Sequence, residues 1–256
     1  MEKRKIGIYR LIAYFTIYTI AGYIIETLFA LIVYGKIESR QGLLYGPFCP
    51  IYGVGAVAII YTLKNLKNNV HTLFIGGFIV GGVVEYLISL FGELVMNVKW
   101  WDYSGRVLNI NGRICVAYCF FWGILTVYLL KILNPKVDKI IEKVKDKIDI
   151  KKLKKFTIMV AILLVMDTAL STMAVNAFTA RTIIENNLNA KNLSFYEKVY
   201  DKIYRNEKSS AFFNKYWGEE FIIKIYPNLR ITLEDGSGVY VQEYYKHVQP
   251  YYFKIR

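Results

Sequence analysis

The chain has 256 residues, 55% of them apolar, and carries 33 Lys and Arg against 20 Asp and Glu for a net charge of +13. The apolar residues are blocked into long runs, which excludes an ordinary soluble domain and sets a membrane composition. Two histidines and three irregularly spaced cysteines exclude the usual zinc sites and most histidine-based hydrolases, and a charge concentrated beside the apolar runs is accounted for without nucleic acid.

Five membrane spans are predicted, at about residues 8–34, 48–63, 70–91, 114–133 and 156–178, most reaching the ~20 residues needed to cross. The second is short: it borrows the adjoining Pro-Ile-Tyr-Gly turn, spans where the bilayer thins, or fails to cross fully. The first run is too long for a signal core and lacks a small-residue exit before Tyr34, so it is expected to stay as an anchor. Lys3, Arg4, Lys5 and Arg10 precede it, Lys64 and Lys67 follow the second run, and ten lysines lie from Lys131 to Lys155. The two intervening loops carry Lys36, Arg40, Lys99 and Arg106, with Arg113 at the edge. The positive-inside rule then gives a multi-pass cell-membrane protein with a cytoplasmic N-terminus and an external C-terminal region.

Glu26 lies about eight residues before the outer end of the first helix, which puts its carboxylate ~12 Å below that end, inside hydrocarbon. A charge at such depth costs about 3 kcal/mol on the lenient insertion scale, so Glu26 should face the bundle interior, pair with a cation or be protonated. A structural helix–helix hydrogen bond is the plainer alternative. The stretch from Glu38 to Gly55 then packs Arg40, four glycines, two prolines and two tyrosines, Tyr52 among them, between apolar runs. That is too much punctuation for a helix interior and too much aromatic for a solvent loop.

The third helix repeats the first: Gly81-Gly82, then Glu85 in its outer half. Glu26 to Leu31 and Glu85 to Leu90 agree at Glu, at both Leu positions and at a small residue, and each is followed by a loop and a returning helix with an aromatic-glycine pair, Tyr52-Gly53 or Trp122-Gly123. A parallel duplication of a two-helix unit, with a binding site between the copies, is the expectation set against chance resemblance. The glycines of the third helix allow close helix approach. His71, at its inner mouth, is assigned no role.

The second external loop carries Trp100, Trp101 and Tyr103, which suit a membrane interface, and also Asp102, Arg106, Asn109, Asn111 and Arg113. The simplest electrostatic expectation pairs Arg40 and Arg113 with Glu26 and Glu85 across the bundle. Cys49 and Cys115 fall near the same boundary, which permits a disulfide, although small buried apolar residues is the favoured reading. Residues 135–155 form an amphipathic basic helix expected to lie on the cytoplasmic leaflet, where a separate ATPase subunit could also dock. In the fifth span Asp167, with Ser171 one turn on, reaches a depth similar to the two glutamates, so three acids from three helices are expected to converge. The external region, 179–256, is expected to hold short helices at 181–188 and 193–204 and a strand pair around Glu234 to Gly238.

Arg40 with Gly42, Gly46-Pro47 and Pro50-Ile51-Tyr52-Gly53, then Glu26 and Glu85, Trp101-Asp102-Tyr103-Ser104, Asn111-Gly112-Arg113-Ile114 and Phe121-Trp122-Gly123 occur in an order that resembles the ABC-transporter type IV family, a CmpB-like group of bacterial membrane proteins. The resemblance covers roughly residues 10–130, with a fainter echo in Asp167, Ser171, Arg181 and Tyr226-Pro227-Asn228. It implies an ABC-type permease component. The chain has no GxxxxGK[ST] loop and cannot itself be the ATPase, and it has no GxSxG or HExxH pattern.

The sequence therefore predicts an all-α polytopic membrane protein, a transmembrane bundle over 1–178 followed by an external region. Its substrate-binding or coupling residues are expected among Glu26, Arg40, Tyr52, Glu85, Asp102, Arg113 and Asp167, with no cofactor and no metal. Transport of a polar solute is the leading reading. A membrane enzyme acting on a lipid-linked or anionic envelope substrate, and a non-catalytic membrane scaffold, stand as alternatives.

Overall fold

The computed structural model describes residues 6–66 and 69–254, so that Lys3, Arg4, Lys5 and Lys67 of the topology argument lie outside the described residues. Four helical stretches are long and apolar enough to cross a membrane: α1 (Ile8–Tyr34), α3 (Val70–Met96), the run Val116–Lys147, and α6 (Ile150–Glu185). Ile75, Ile79, Val83, Leu87, Phe91 and Leu94 are all exposed along one stripe of α3, a face that only lipid or another apolar partner satisfies.

These four stretches correspond to four of the five predicted spans, and the second, predicted to be short, is a shorter helix. α2 (Pro50–Leu63) has 14 residues, and at 1.5 Å per residue it reaches about 21 Å, short of a ~30 Å hydrocarbon core. Its late start is local: Cys49 sits at φ −118 and ψ 87 because the following proline disfavours helical geometry, and Pro50 opens the helix where its missing N–H costs nothing.

The basic helix also differs from expectation. α4 (Val116–Tyr128) passes through a π-turn at Leu129–Leu133 into α5 (Asn134–Lys147), with Pro135 taken up in the first turn. α5 ends at Lys147 instead of continuing to 155, because Asp149 Oδ1 accepts from the amides of Lys151 (2.8 Å) and Lys152 (3.1 Å) and starts a new helix. Its apolar face is divided: Val137 and Ile141 pack on the core, whereas Ile140 is exposed. α6 begins at Ile150 and runs without a Gly or Pro to Glu185, absorbing most of the separate helix expected at 181–188.

Beyond it, α7 (Leu193–Tyr204) and the hairpin of β5 (Arg230–Thr232) with β6 (Gly238–Tyr240) stand where they are predicted. α8 (Glu207–Trp217) and α9 (Glu219–Ile225) are additional. Short strands tie distant segments together: β1 (Lys36–Glu38) pairs with β7 (Tyr251–Lys254), β2 (Val98–Lys99) joins β5, and β3 (Asn109–Ile110) pairs with β4 (Ile114–Cys115).

The chain divides into two compact units, one of residues 1–22, 48–87 and 103–166 and one of 23–47, 88–102 and 167–256. The first is built around Tyr14, Ile59, Ile60, Leu73, Trp122 and Leu129. Here glycine determines how closely helices meet. Trp122 fills the space a Cβ would need at Gly81, and its ring lies 2.7 Å from where a Cβ on Gly55 would stand. The start of α1 is fastened to α5 by Arg10, whose guanidinium reaches Asp138 Oδ1 at 2.6 Å and Glu142 Oε1 at 2.9 Å. The second unit packs Phe178, Ile183, Tyr196, Trp217, Ile222 and Ile231 into its own core.

Gly81→Val should therefore destabilise the folded protein by about 1–3 kcal/mol through overpacking against Trp122. Gly105→Ala, where an added Cβ meets nothing within 4 Å, is the neutral control. Thermal unfolding of both variants in one detergent measures the difference.

Candidate functional site

Within the first unit the chemistry gathers on Glu85. The residue is 4% exposed, and both of its carboxylate oxygens accept from side chains: Oε1 from the Tyr103 hydroxyl at 2.8 Å and Oε2 from the Trp122 indole Nε1 at 3.1 Å. Each donor is aimed by its own surroundings. Tyr103 is pinned in the loop by its amide bond to Gly112 O (2.8 Å) and stacks on Tyr118 with ring centroids 4.4 Å apart. Trp122 is aimed by the glycine spaces at 55 and 81, and Tyr52 leans on it at 5.9 Å. Burial, reinforced by the Glu85 charge and hydrogen bond, raises the Tyr103 phenol far above its usual range, so it remains an O–H donor at every physiological pH.

Arg113 ends the β3–β4 turn, in which Asn111 and Gly112 both have positive φ (54 and 66), the sign pattern of a type I′ turn for which Asn-Gly is suited. Its guanidinium lies 5.5 Å from the centre of the Tyr86 ring, a cation–π arrangement. Cys49, Cys115 and Cys119 form no disulfide; Cys115 and Cys119 are buried as small core residues, the favoured reading, whereas Cys49 is half-buried.

In the second unit Asp167 performs a different task. Its carboxylate accepts from the Tyr45 amide at 3.2 and 3.3 Å and from Ser171 Oγ at 3.3 Å, while Ser171 Oγ accepts from the Leu44 amide at 2.7 Å. Together they hold the loop after β1 through its backbone. Arg40 is expected opposite Glu26 or Glu85; its Nη2 is bonded to Glu38 Oε1 at 2.7 Å. The reason is proximity in an extended segment, where Lys36, Glu38 and Arg40 share one side at a period of two, and Lys36 Nζ closes on Glu38 Oε2 at 2.6 Å. Asp102 meets Arg230 at 3.5 Å, and Glu26 is half-buried on α1. Of the three acids expected to converge, Glu85 belongs to the first unit, whereas Glu26 and Asp167 belong to the second.

Two groups escape the sequence reading. Glu38 is 1% exposed and also accepts from Asn228 Nδ2 at 3.3 Å; the alternation Lys36-x-Glu38-x-Arg40 is the signal that could have found it. Arg10, read only as a topology charge, is a structural ligand of Asp138 and Glu142, whose i,i+4 spacing places them on one helix face.

These features define a polytopic helical membrane protein with a buried, hydrogen-bonded carboxylate. The family model described as "Putative ABC-transporter type IV" matches residues 13–172, more than half of the chain, and the chain belongs to that family. It is thereby a transport-related membrane protein. The match takes in Glu26, Arg40, Tyr52, Glu85, Asp102, Arg113 and Asp167. Comparisons with curated proteins and with solved structures give no match.

Asp167→Ala should free the Tyr45 amide and deprive Ser171, which holds the Leu44 amide, of its own acceptor, with a loss of about 1–3 kcal/mol for the groups left without partners. Hydrogen exchange over residues 39–47 measures it, and unchanged protection there would contradict the anchoring role.

Proposed function

We propose that the chain is the membrane-spanning component of a transporter for a polar or cationic solute, working with a separate ATPase subunit, and that Glu85 is the intramembrane acid at its binding or coupling site. The Glu85 carboxylate carries this reading: it is buried on a helix able to cross a membrane, and both its oxygens are held by side-chain donors. A rotamer change can withdraw a phenol or an indole and admit a solute or a proton, at a cost far below that of rebuilding backbone.

A duplicated two-helix unit is part of the proposal, and paired contacts in the first unit support it. Gly22, four residues before Glu26, is occupied at its Cβ position by Tyr52, just as Gly81, four before Glu85, is occupied by Trp122. Gly53, next to Tyr52, presses on Phe15, and Gly123, next to Trp122, presses on Phe74; each Phe stands eleven residues before its acid. Tyr52 is then the counterpart of Trp122 and Glu26 that of Glu85, with the Tyr52 and Trp122 rings, tilted by 35° and 5.9 Å apart, at the junction of the copies. In this scheme Arg113 belongs to the loop beside Glu85 in the first unit, while Arg40, Asp102 and Asp167 hold loops of the second unit. The basic α5 faces the cytoplasm, with Lys136, Lys139 and Lys143 exposed for the ATPase or anionic lipid, and residues 179–256 lie outside.

A membrane enzyme acting on an anionic envelope substrate is the second reading, favoured by the Arg113 cation held beside Tyr86. Glu85→Gln separates the two. It should leave membrane insertion intact, cost about 1–3 kcal/mol of stability because the amide accepts from only one of the two donors, and reduce uptake at least about tenfold, a loss of ~1.4 kcal/mol in coupling. Wild-type uptake by a well-folded Glu85→Gln protein would remove Glu85 from the pathway. A purified complex containing an ATPase in fixed ratio is expected, whereas turnover of a lipid substrate by the chain alone would favour the enzyme.

A further inference from the structure

We propose that a polar cavity in the second unit binds a small zwitterion of the amino-acid or dipeptide class, with the ligand carboxylate on Lys246 and its ammonium on Glu243. The cavity holds about 410 Å³, and Lys36, Glu38, Asn228, Gln242, Glu243 and Lys246 all line it. Every charge used for recognition is therefore part of the wall itself.

Three segments distant in sequence build that wall. Lys36 and Glu38 stand on β1, which pairs with β7, and Pro250, the residue before β7, is a further lining residue. Asn228 follows Tyr226 and Pro227 in the turn before β5, closed by the Leu229 amide on Tyr226 O at 3.1 Å. The remaining groups come from the 3₁₀ turn Val241–Tyr244 and the residues just after it. This last segment is pinned from below. Val241, Tyr245 and Val248 are buried, the Val241 amide is bonded to Leu229 O at 3.0 Å, and the Tyr245 ring lies 5.3 Å from that of Phe178. Gln242, Glu243 and Lys246 fall between these anchors, so the site is preformed on ordered backbone.

The charges of the wall divide into a spent set and an open one. Glu38 is held by Lys36 at 2.6 Å, by Arg40 at 2.7 Å and by Asn228 at 3.3 Å, so it has little left to offer a ligand. Among the described residues, by contrast, the side chains of Glu243 and Lys246 have no hydrogen bond or ion pair, even with each other across three positions. One open anion and one open cation thus line the same cavity. A monoanion would meet Lys246 but bring a like charge to Glu243, and a monocation would do the reverse; a ligand carrying both signs satisfies the pair. Asn228 Oδ1 is left to accept from the ligand, because Nδ2 is spent on Glu38, and the Gln242 amide adds a donor and an acceptor. A sugar is a poorer match. Tyr240 is the aromatic residue of the wall, and the Arg230 guanidinium already stands over its ring, 4.0 Å from the centre. The site stands whether or not the chain carries a solute across the membrane, since its test reads binding and not uptake.

The full chain, purified in detergent, is titrated with L-alanyl-L-alanine and with its N-acetylated and C-amidated forms, and binding is followed by ligand-observed NMR. The dipeptide should bind with a Kd below about 1 mM, and removal of either of its charges should weaken binding about fivefold. Each substitution should act only on the end it meets. Lys246→Met should weaken the dipeptide about fivefold and leave the C-amidated form, which has lost its carboxylate, unchanged; Glu243→Gln should weaken the dipeptide and leave the N-acetylated form unchanged. Lys246→Arg should keep most of the affinity. Both side chains are exposed, so all three variants should unfold at the wild-type temperature. Absence of wild-type binding up to about 10 mM dipeptide, equal binding of the three ligands, or a loss in either variant that ignores which end is blocked would overturn the proposal.

Discussion

A carboxylate on an apolar helix has to be met by donors, and Glu85 shows how much of a fold one such requirement can organise. Its two oxygens take one donor from the loop after α3 and one from α4, so satisfying Glu85 fixes the position of both segments. The indole reaches it only because Gly81 and Gly55 leave room for the ring. Replacing either glycine would displace the donor, and so the small residues of this unit act on the acid through Trp122. Packing and electrostatics are here one constraint: the helices approach closely enough to seat the indole, and the indole makes the buried charge tolerable.

The second unit meets the same cost by other means. Glu38 is almost fully buried between Lys36 and Arg40, with Asn228 as a further donor. A pair of this kind adds little net stability, since desolvation offsets much of the attraction, but removing one partner leaves a costly orphan. Such a cluster therefore specifies which segments meet: β1 and the Tyr226-Pro227-Asn228 turn are held by a bond that no hydrophobic contact could replace selectively. Asp167 does similar work through backbone amides, with Ser171 extending its reach to Leu44.

Legibility in the sequence follows the range of the responsible interactions. The bounds of α1 and α7 and the β5–β6 hairpin depend on local apolar runs, helix signals and a turn, and they stand where the residues place them. The end of α5 depends on Asp149 capping the next helix, a short-range feature outweighed in the reading by the continuous lysine pattern. The length of α6 was hidden because its last turns lose their apolar run without losing helix-forming residues. Pairings were hardest. Arg40 and Glu85 are both visible as charges out of place, yet only the strand alternation around Glu38 gives Arg40 its partner, and a sequence read for helices does not weigh a period of two.

The acids themselves divide by the kind of donor that holds them. Asp167 accepts from the amide of Tyr45, a group fixed in the chain, so exchanging that partner means moving a loop. Glu85 accepts from two side chains, each of which turns about its own bonds. Two carboxylates that look alike in sequence, each isolated in an apolar helix, are thus unequal: one holds a loop through its backbone, and the other accepts from side chains that can turn. Asp167 stays the anchor of the loop after β1, through the Tyr45 amide directly and the Leu44 amide by way of Ser171.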